Sequence, residues 1–203
     1  MSAQRRGAGG TRPEGAPSPA DLTFAPVESA RWADFERLFE ARGGPRYCWC
    51  MAMRRDEAGR IPRTNAERER AIESKVRCGT PVGILAYHNG EPVAWCSVAP
   101  RETLAVYRGL DWPEGDPSTV WSINCFYVKR ALRRGGVMSR LIDEAVAHAR
   151  RNGATVVESY PVAPDSPSYR FCGFVPTFAA HGFVEVGRAG LRRHVMRRDP
   201  RYR

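Results

Sequence analysis

The chain has 203 residues, of which 42% are hydrophobic and 27% charged, and its formal net charge is +10. This composition is typical of a soluble globular protein whose core needs neither disulfides nor a metal. No apolar run reaches the roughly 18 residues of a membrane-spanning helix, and the N-terminal residues lack the apolar stretch of a secretory signal. We therefore expect a cytoplasmic protein with no membrane partner, whose six cysteines are free thiols.

The first twenty residues differ in composition from the rest of the chain. They are rich in Gly, Pro, Ala and Ser, and Arg5, Arg6 and Arg12 stand against the single Glu14. Such a segment has too little apolar surface to order itself. The sequence predicts a disordered basic tail over residues 1–20 and one domain over residues 21–203.

The first half of the domain alternates strand and helix patterns. A short strand over 21–27 precedes a helix over 29–42, for which Ser29 is the predicted N-cap. A loop over 43–55 carries aromatic and thiol side chains, and a polar helix follows over 64–77. The run over 81–100 predicts a hairpin, because Asn-Gly lies between two apolar segments.

The second half contains a strand, a basic turn and a helix in succession. The strand covers residues 120–128 and the helix runs from about Gly136 to Arg151. A strand over 154–162, a short helix that ends at Gly182 and a last hairpin over 183–198 complete the chain. This order predicts an α+β fold, with a mixed, mostly antiparallel central sheet flanked by helices and one β-α-β unit.

The turn between the strand and the helix favours an anion. The first turn of a helix has backbone N–H groups without intrahelical partners, and the helix dipole adds positive charge there. Gly135 and Gly136 allow a phosphate to approach the backbone, and Arg133 and Arg134 add charge-assisted hydrogen bonds. Neither G-x-x-x-x-G-K-[ST] nor G-x-G-x-x-G is present, so the pattern predicts a diphosphate site of another kind.

The segment Arg133-x-x-Gly136, after a strand that ends in Phe126, Tyr127 and Val128, resembles the Gcn5-related N-acetyltransferase (GNAT) superfamily. The resemblance covers residues 22–198 and includes the "HGF" ending near Phe183, while "CWCM" and "SYPV" are similar to a bacterial subgroup. It implies a GNAT-like fold whose β-α-β unit binds acetyl-CoA. Residues 126–128 would bind the pantetheine arm and residues 133–138 the diphosphate: Phe126, Tyr127, Val128, Arg133, Arg134, Gly135, Gly136, Val137 and Met138.

Two positions depart from the family pattern. The loop of the family ends in Gly or Ala, where this chain has Met138. Many members carry a tyrosine, which protonates the leaving thiolate, at the position of Phe178. The resemblance therefore implies that an acid other than residue 178, or water, protonates the thiolate here.

Five residues are candidates for the chemistry of amine acetylation, and Glu158, Asn124 and Tyr169 are the leading three. Glu158 is the acidic residue of the strand after the helix, and it is either the base that accepts the ammonium proton or a solvent-facing glutamate. Asn124 either positions the acceptor or is a satisfied buried amide. Tyr169, and less strongly Tyr160, offers the phenol that residue 178 lacks. Cys125 allows an acyl-cysteine route, against the simpler interpretation of a buried packing thiol.

The loop around Cys48 and Cys50 is the candidate acceptor wall. Trp49 is predicted either to bind the substrate with its flat ring or to pack in the core. The C-x-C spacing alone is a weak metal signal, and the four histidines are dispersed, so we expect no metal.

These observations predict an acetyl-CoA-dependent N-acetyltransferase, in which a primary amine attacks the thioester directly in a ternary complex. The acceptor is a small-molecule or protein amine, and the chain acts either alone or as a homodimer. A catalytically degenerate CoA-binding sensor or scaffold is the alternative, motivated by Phe178. A nucleic-acid partner is not expected, because the aromatic residues fall in core-like positions rather than among the basic ones.

Overall fold

A computed structural model of the protein describes residues 18–105 and 119–202. Within them, seven strands form one open sheet. The strands are β1 (Thr23–Pro26), β2 (Ile84–His88), β3 (Glu91–Pro100), β4 (Val120–Val128), β5 (Val156–Ser159), β6 (Val184–Ala189) and β7 (Arg193–Arg198). Their order in the sheet is β1-β2-β3-β4-β5-β7-β6. Only β4 and β5 are parallel, and every other pair is antiparallel. The predicted mixed, mostly antiparallel α+β fold is confirmed.

Helices cover both faces of the sheet. They are α1 (Trp32–Glu40), α2 (Asn65–Arg77), α3 (Val137–Arg151) and α4 (Val175–Ala180). The helices α3 and α4 pack on one face, in a core that includes Leu141, Ile142 and Phe178. The helices α1 and α2 pack on the other face, where Phe35, Phe39 and Trp95 form an aromatic cluster. The helix α3, which follows the basic turn, is therefore held against the sheet by its own apolar face, as its periodicity predicts.

The start of the domain differs from the predicted boundaries. The side chain of Ser18 caps a 3-10 helix over Pro19–Asp21, so the segment predicted as tail includes residues with defined structure; residues 1–17 lie outside the described part. The helix α1 begins at Trp32 after a separate 3-10 turn, and Ser29 does not cap it. Instead, the Ser29 hydroxyl donates a 3.4 Å hydrogen bond to the carbonyl of Val76, which ties this turn to α2.

The Asn-Gly turn predicted between β2 and β3 is present. Asn89 and Gly90 both have positive φ, as the tight turn between β2 and β3 requires. Thr64 and Glu67 form a capping box at the start of α2. The strand β5 is shorter than predicted and ends at Ser159, while Val162 forms only isolated bridges. Across the described residues, no helix is both long and apolar enough to cross a membrane.

Candidate active site

The strands β4 and β5 separate in the middle of the sheet. They pair only from Val120–Val156 to Ile123–Ser159, and β4 then continues to Val128 alongside β3 alone. Over residues 124–128, β4 has no strand neighbour on its β5 side within the described chain. The sheet is thus open at the point where the resemblance places the pantetheine arm.

A β-bulge marks the beginning of this gap. Ser97 lies opposite Cys125 and Val98 lies opposite Ile123, which leaves Asn124 as the extra residue. The bulge reverses the alternation of β4, so Ile123 and Phe126 both belong to the core under α3. Asn124 is buried, and its amide donates a 3.2 Å hydrogen bond to the carbonyl of Ser122.

The basic loop lies beside the end of β4. Arg133 donates through Nε to the carbonyl of Val128 at 3.0 Å, which fixes the loop to the strand. Arg134 has φ +64° and Gly136, the N-cap of α3, has φ +81°. No side chain caps this helix and its first turn contains no acidic residue. The helix N-terminus is therefore positively polarised, exposed at Gly136, and available to an anion.

The side chain at the last loop position points away from that N-terminus. Met138 packs against the core under α3. Its sulfur lies beside Gly173, 3.7 Å from where a β-carbon of that glycine would be. The methionine that replaces the family's small residue therefore packs against the core, half-buried, rather than in front of the helix N-terminus.

A cavity of about 160 Å³ opens along the unpaired part of β4, on the side of the 45–54 loop. Its walls come from that loop, from β3, from β4 and from the turn before α4. The lining residues are Pro45, Tyr47, Cys48, Cys50, Ala52, Met53, Arg54, Ser97, Asn124, Cys125, Phe126, Tyr127 and Phe171. Asn124 and Phe126–Tyr127 are thus the sequence-predicted residues that this cavity brings together.

Glu158 lies on β5 in a buried network of charges. Its carboxylate has no exposed surface and pairs with Arg101 at 3.3 Å and with Arg197 at 2.7 Å. Tyr160 donates a short hydrogen bond to its other oxygen, and burial is the main cause that raises the pKa of this phenol. Both carboxylate oxygens are engaged, and Glu158 does not line the cavity. The alternative that Glu158 is a solvent-facing glutamate is therefore wrong.

A family model that spans more than half of the chain identifies the family. The family model of the acetyltransferase (GNAT) family matches residues 48–174, from the Cys48 loop to the turn before α4. The chain belongs to the GNAT acetyltransferase family. No curated protein sequence matches it significantly.

Solved structures share the fold of this GNAT acetyltransferase. An N-acetyltransferase from Staphylococcus aureus Mu50 is 15% identical, with a TM-score of 0.53 over 88% of this chain and 98% of its own. The yncA protein of Salmonella typhimurium, solved with acetyl-CoA, is 16% identical, with a TM-score of 0.52 over 89% and 94%. AAC(6')-Ib, solved with ribostamycin and coenzyme A, is 18% identical, with a TM-score of 0.57 over 88% and 93%. At these identities the likeness concerns the fold alone.

The aromatic residues near α4 do not place a phenol in the cavity of the acetyltransferase. Phe178 is buried against Phe126 and Phe183, with ring centroids at 6.1 and 5.1 Å. Tyr169 is part-exposed at φ +60°, and its ring lies under the guanidinium of Arg193. Tyr169 does not line the cavity, and its ring packs on that of Phe171, a residue of the cavity wall, at 6.2 Å between ring centroids.

Trp49 lies in the core of the GNAT domain rather than in the cavity wall. The side chain is 1% exposed and stacks on Phe39 and Trp32, with centroids at 5.5 and 6.1 Å. Its neighbours Cys48 and Cys50 line the cavity, while Trp49 itself does not. The 45–54 loop therefore has an outer side that faces the site and an inner side that anchors it.

We expect Trp49→Ala to lower the free energy of unfolding by about 3–5 kcal/mol, because it deletes a large, fully buried ring. Denaturant unfolding followed by fluorescence and circular dichroism measures this change. Trp112→Phe, outside the described residues, supplies a fluorescence control. If Trp49→Ala leaves stability unchanged and raises only the KM for the amine, the ring is a substrate wall after all.

Sequence reasoning missed one part of the cavity, the buried Arg54 beside Cys50. Arg54 is 2% exposed and donates to the carbonyls of Cys50 and Val82 and to the hydroxyl of Ser97. An arginine in a loop next to Arg55 carries no sequence signal of burial. No cluster of three or more potential metal ligands occurs among the described residues.

Proposed function

We propose that this GNAT acetyltransferase uses acetyl-CoA as its co-substrate and transfers the acetyl group to a primary amine. The amine attacks the thioester directly, in a ternary complex. The observation that carries the proposal is the gap between β4 and β5, which lies between the positively polarised start of α3 and the small cavity. The yncA protein and AAC(6')-Ib, which share this fold, were solved with acetyl-CoA and coenzyme A, which supports the choice of co-substrate.

The co-substrate would lie along the open side of β4. Backbone groups of Phe126–Val128 would bind the pantetheine arm, because β5 no longer pairs with them. The backbone N–H groups over Arg133–Met138 and the guanidinium groups of Arg133 and Arg134 would bind the diphosphate. This path places the thioester at the bulge, next to the cavity that would receive the amine.

The three residues predicted for catalysis have different positions in this arrangement. We assign Asn124 to the orientation of the amine, because it alone of the three lines the cavity. Glu158 would act on the reaction only by holding β5 in place, since both of its oxygens are engaged. Tyr169 would reach a thiolate only after leaving Arg193, so we assign it a positioning role beside Phe171.

The cavity favours a small acceptor with a single amine. Its described lining contains no Asp, Glu or His, and it contains the guanidinium of Arg54. A second cationic group on the acceptor would therefore find no carboxylate partner there. The net charge of +10 also repels polycations at long range. Although AAC(6')-Ib was solved with ribostamycin, we do not extend that aminoglycoside to this chain.

Incubation with acetyl-CoA and a panel of amines tests the proposal. We expect release of the CoA thiol together with an acetylated monoamine, identified by mass spectrometry, and initial rates that require both substrates to be bound. Calorimetry on the same samples measures CoA binding. If CoA binds but no amine is acetylated, the chain is a CoA-binding sensor or scaffold instead.

Asn124→Ala should lower kcat/KM for the preferred amine by up to about tenfold, which corresponds to one lost hydrogen bond. The Kd for acetyl-CoA should stay within experimental error, because the side chain lies in the cavity and not on the loop. Asn65→Ala, at the exposed start of α2, is the matched control. An equal loss of acetyl-CoA affinity in Asn124→Ala would show that the residue supports the strand rather than the acceptor.

A further inference from the structure

The proposed transfer does not use a group of thiols that lines the cavity. Cys48 and Cys50 come from the 45–54 loop and Cys125 comes from β4. The sulfur of Cys50 accepts a 3.1 Å hydrogen bond from the indole N–H of Trp95. Cys125 lies opposite Ser97 in the pairing of β3 with β4, and Arg54 donates both to the hydroxyl of Ser97 and to the carbonyl of Cys50. Cys50 and Cys125 therefore lie close together in the wall of one small cavity.

A buried positive charge lies next to this pair. Arg54 is 2% exposed, and none of the ion pairs among the described residues includes it. A guanidinium group keeps its charge in proteins, and an isolated buried charge is costly. A thiolate at Cys50 would supply the counter-charge, because Arg54 binds the backbone of the same residue at 2.8 Å.

The surroundings favour the thiolate at Cys50 and at no other described thiol of the cavity. Interaction with the Cys125 thiol outweighs burial and, with Arg54, Trp95 and Ser97, lowers the pKa of Cys50 to about 6. Burial and the charge on Cys50 raise the pKa of Cys48 to about 11. Interaction with Cys50, followed by burial, raises the pKa of Cys125 well above its ordinary value. The cavity wall thus holds one nucleophilic sulfur and one protonated thiol.

We propose that Cys50 and Cys125 form an oxidation site for small hydroperoxides, at which Cys50 is oxidised and Cys125 closes a disulfide. The thiolate of Cys50 attacks one peroxide oxygen, the O–O bond breaks, and hydroxide leaves. The sulfur of Cys125 then attacks the Cys50 sulfenic acid, and its proton and the departing hydroxyl form water. One peroxide is reduced by two electrons, and the two thiols are oxidised to one disulfide.

The cavity restricts which oxidant reaches the pair. Its volume of about 160 Å³ admits hydrogen peroxide but excludes a tripeptide disulfide such as oxidised glutathione. Cys50 is only 5% exposed, so access is through the cavity. The exposed Cys78, in contrast, is open to oxidants of any size. We therefore expect peroxide to oxidise the buried Cys50 before the exposed Cys78, although surface exposure alone would favour Cys78.

The disulfide would also change the proposed acetyl transfer, and this part rests on the proposed function. It would join the 45–54 loop to β4 across the space assigned to the amine. We expect peroxide treatment to reduce the rate of acetylation at least tenfold and a dithiol to restore it.

Mass spectrometry of the full chain tests the site itself. Cys48 and Cys50 fall in one tryptic peptide, so the Cys48→Ser variant serves as the parent. It is treated with limiting hydrogen peroxide, blocked with an alkylating agent under denaturing conditions and digested. We expect a linked pair of peptides joining Cys50 to Cys125, lighter by two hydrogen atoms, before Cys78 is modified. Oxidised glutathione should give no such link.

Two further variants separate the steps. In Cys125→Ser, dimedone should trap the sulfenic acid on Cys50 and no link should form. Trp95→Phe keeps an aromatic ring but removes the N–H donor, and it should slow the oxidation of Cys50 severalfold, with folding checked by circular dichroism. Oxidation of Cys78 ahead of Cys50, or a Cys50 that stays reduced, overturns the proposal. If the disulfide forms but neither the oxidised nor the reduced protein transfers acetyl groups, the proposed function is wrong and the oxidation site stands.

Discussion

Replacing Glu158 with glutamine should lower the free energy of unfolding by about 3–5 kcal/mol, the largest effect that we expect of a single conservative change. The carboxylate is fully buried between Arg101 and Arg197 and accepts a hydrogen bond from the phenol of Tyr160. The neutral amide would face two guanidinium groups, one of them only 3% exposed, without cancelling their charge. Urea unfolding at neutral pH measures the change.

Glu73→Gln provides the matched control for this prediction. Glu73 pairs with Arg77 along the exposed side of α2, where an ion pair contributes only about 0.3–0.5 kcal/mol. If Glu158→Gln unfolds like Glu73→Gln but loses kcat with an altered acid limb in the pH profile, Glu158 is the general base. The buried network would then serve catalysis rather than stability.

Gly136→Ala should weaken acetyl-CoA binding by about 10–100-fold, equivalent to losing one charge-assisted hydrogen bond of about 1.5–3 kcal/mol. The glycine caps α3 at φ +81°, where a β-carbon is strained by about 1–2 kcal/mol. A β-carbon there would also lie 3.2 Å from Cγ of Pro19 and beside the N–H groups proposed to bind the diphosphate. Calorimetric titration with acetyl-CoA measures the effect.

Gly153→Ala separates backbone strain from ligand contact. Gly153 follows the other end of α3 at φ +84°, and a β-carbon there meets no atom within 4 Å. Both variants should therefore lose similar stability, while only Gly136→Ala loses affinity. Equal acetyl-CoA affinity in the two variants would place the diphosphate elsewhere.

The elements that could be predicted from sequence are those defined by local signals. The Asn89-Gly90 turn predicts its hairpin because both residues tolerate positive φ. The apolar periodicity of α3 and the glycines before it predict the strand-turn-helix unit, since those signals act within a few residues. The family resemblance rests on the same segment, and the family match confirms it.

The features that could not be predicted depend on contacts distant in sequence. Strand alternation cannot show that Glu158 is buried, because its partners Arg101 and Arg197 are 57 and 39 residues away. The bulge at Asn124 changes which face each residue of β4 occupies, and no residue type in the strand marks it. Likewise, Trp49 and Cys50 have positive φ, which turns the ring into the core and the thiol toward the cavity.

Calorimetric titration with coenzyme A and with pantetheine, which lacks the diphosphate together with the 3′-phosphoadenosine, tests the central claim most directly. If backbone N–H groups and arginines at the start of α3 hold the diphosphate, coenzyme A binds one molecule per chain and pantetheine binds at least about tenfold more weakly. Equal affinities for the two compounds, or no heat with coenzyme A, would contradict a diphosphate site at Arg133–Gly136.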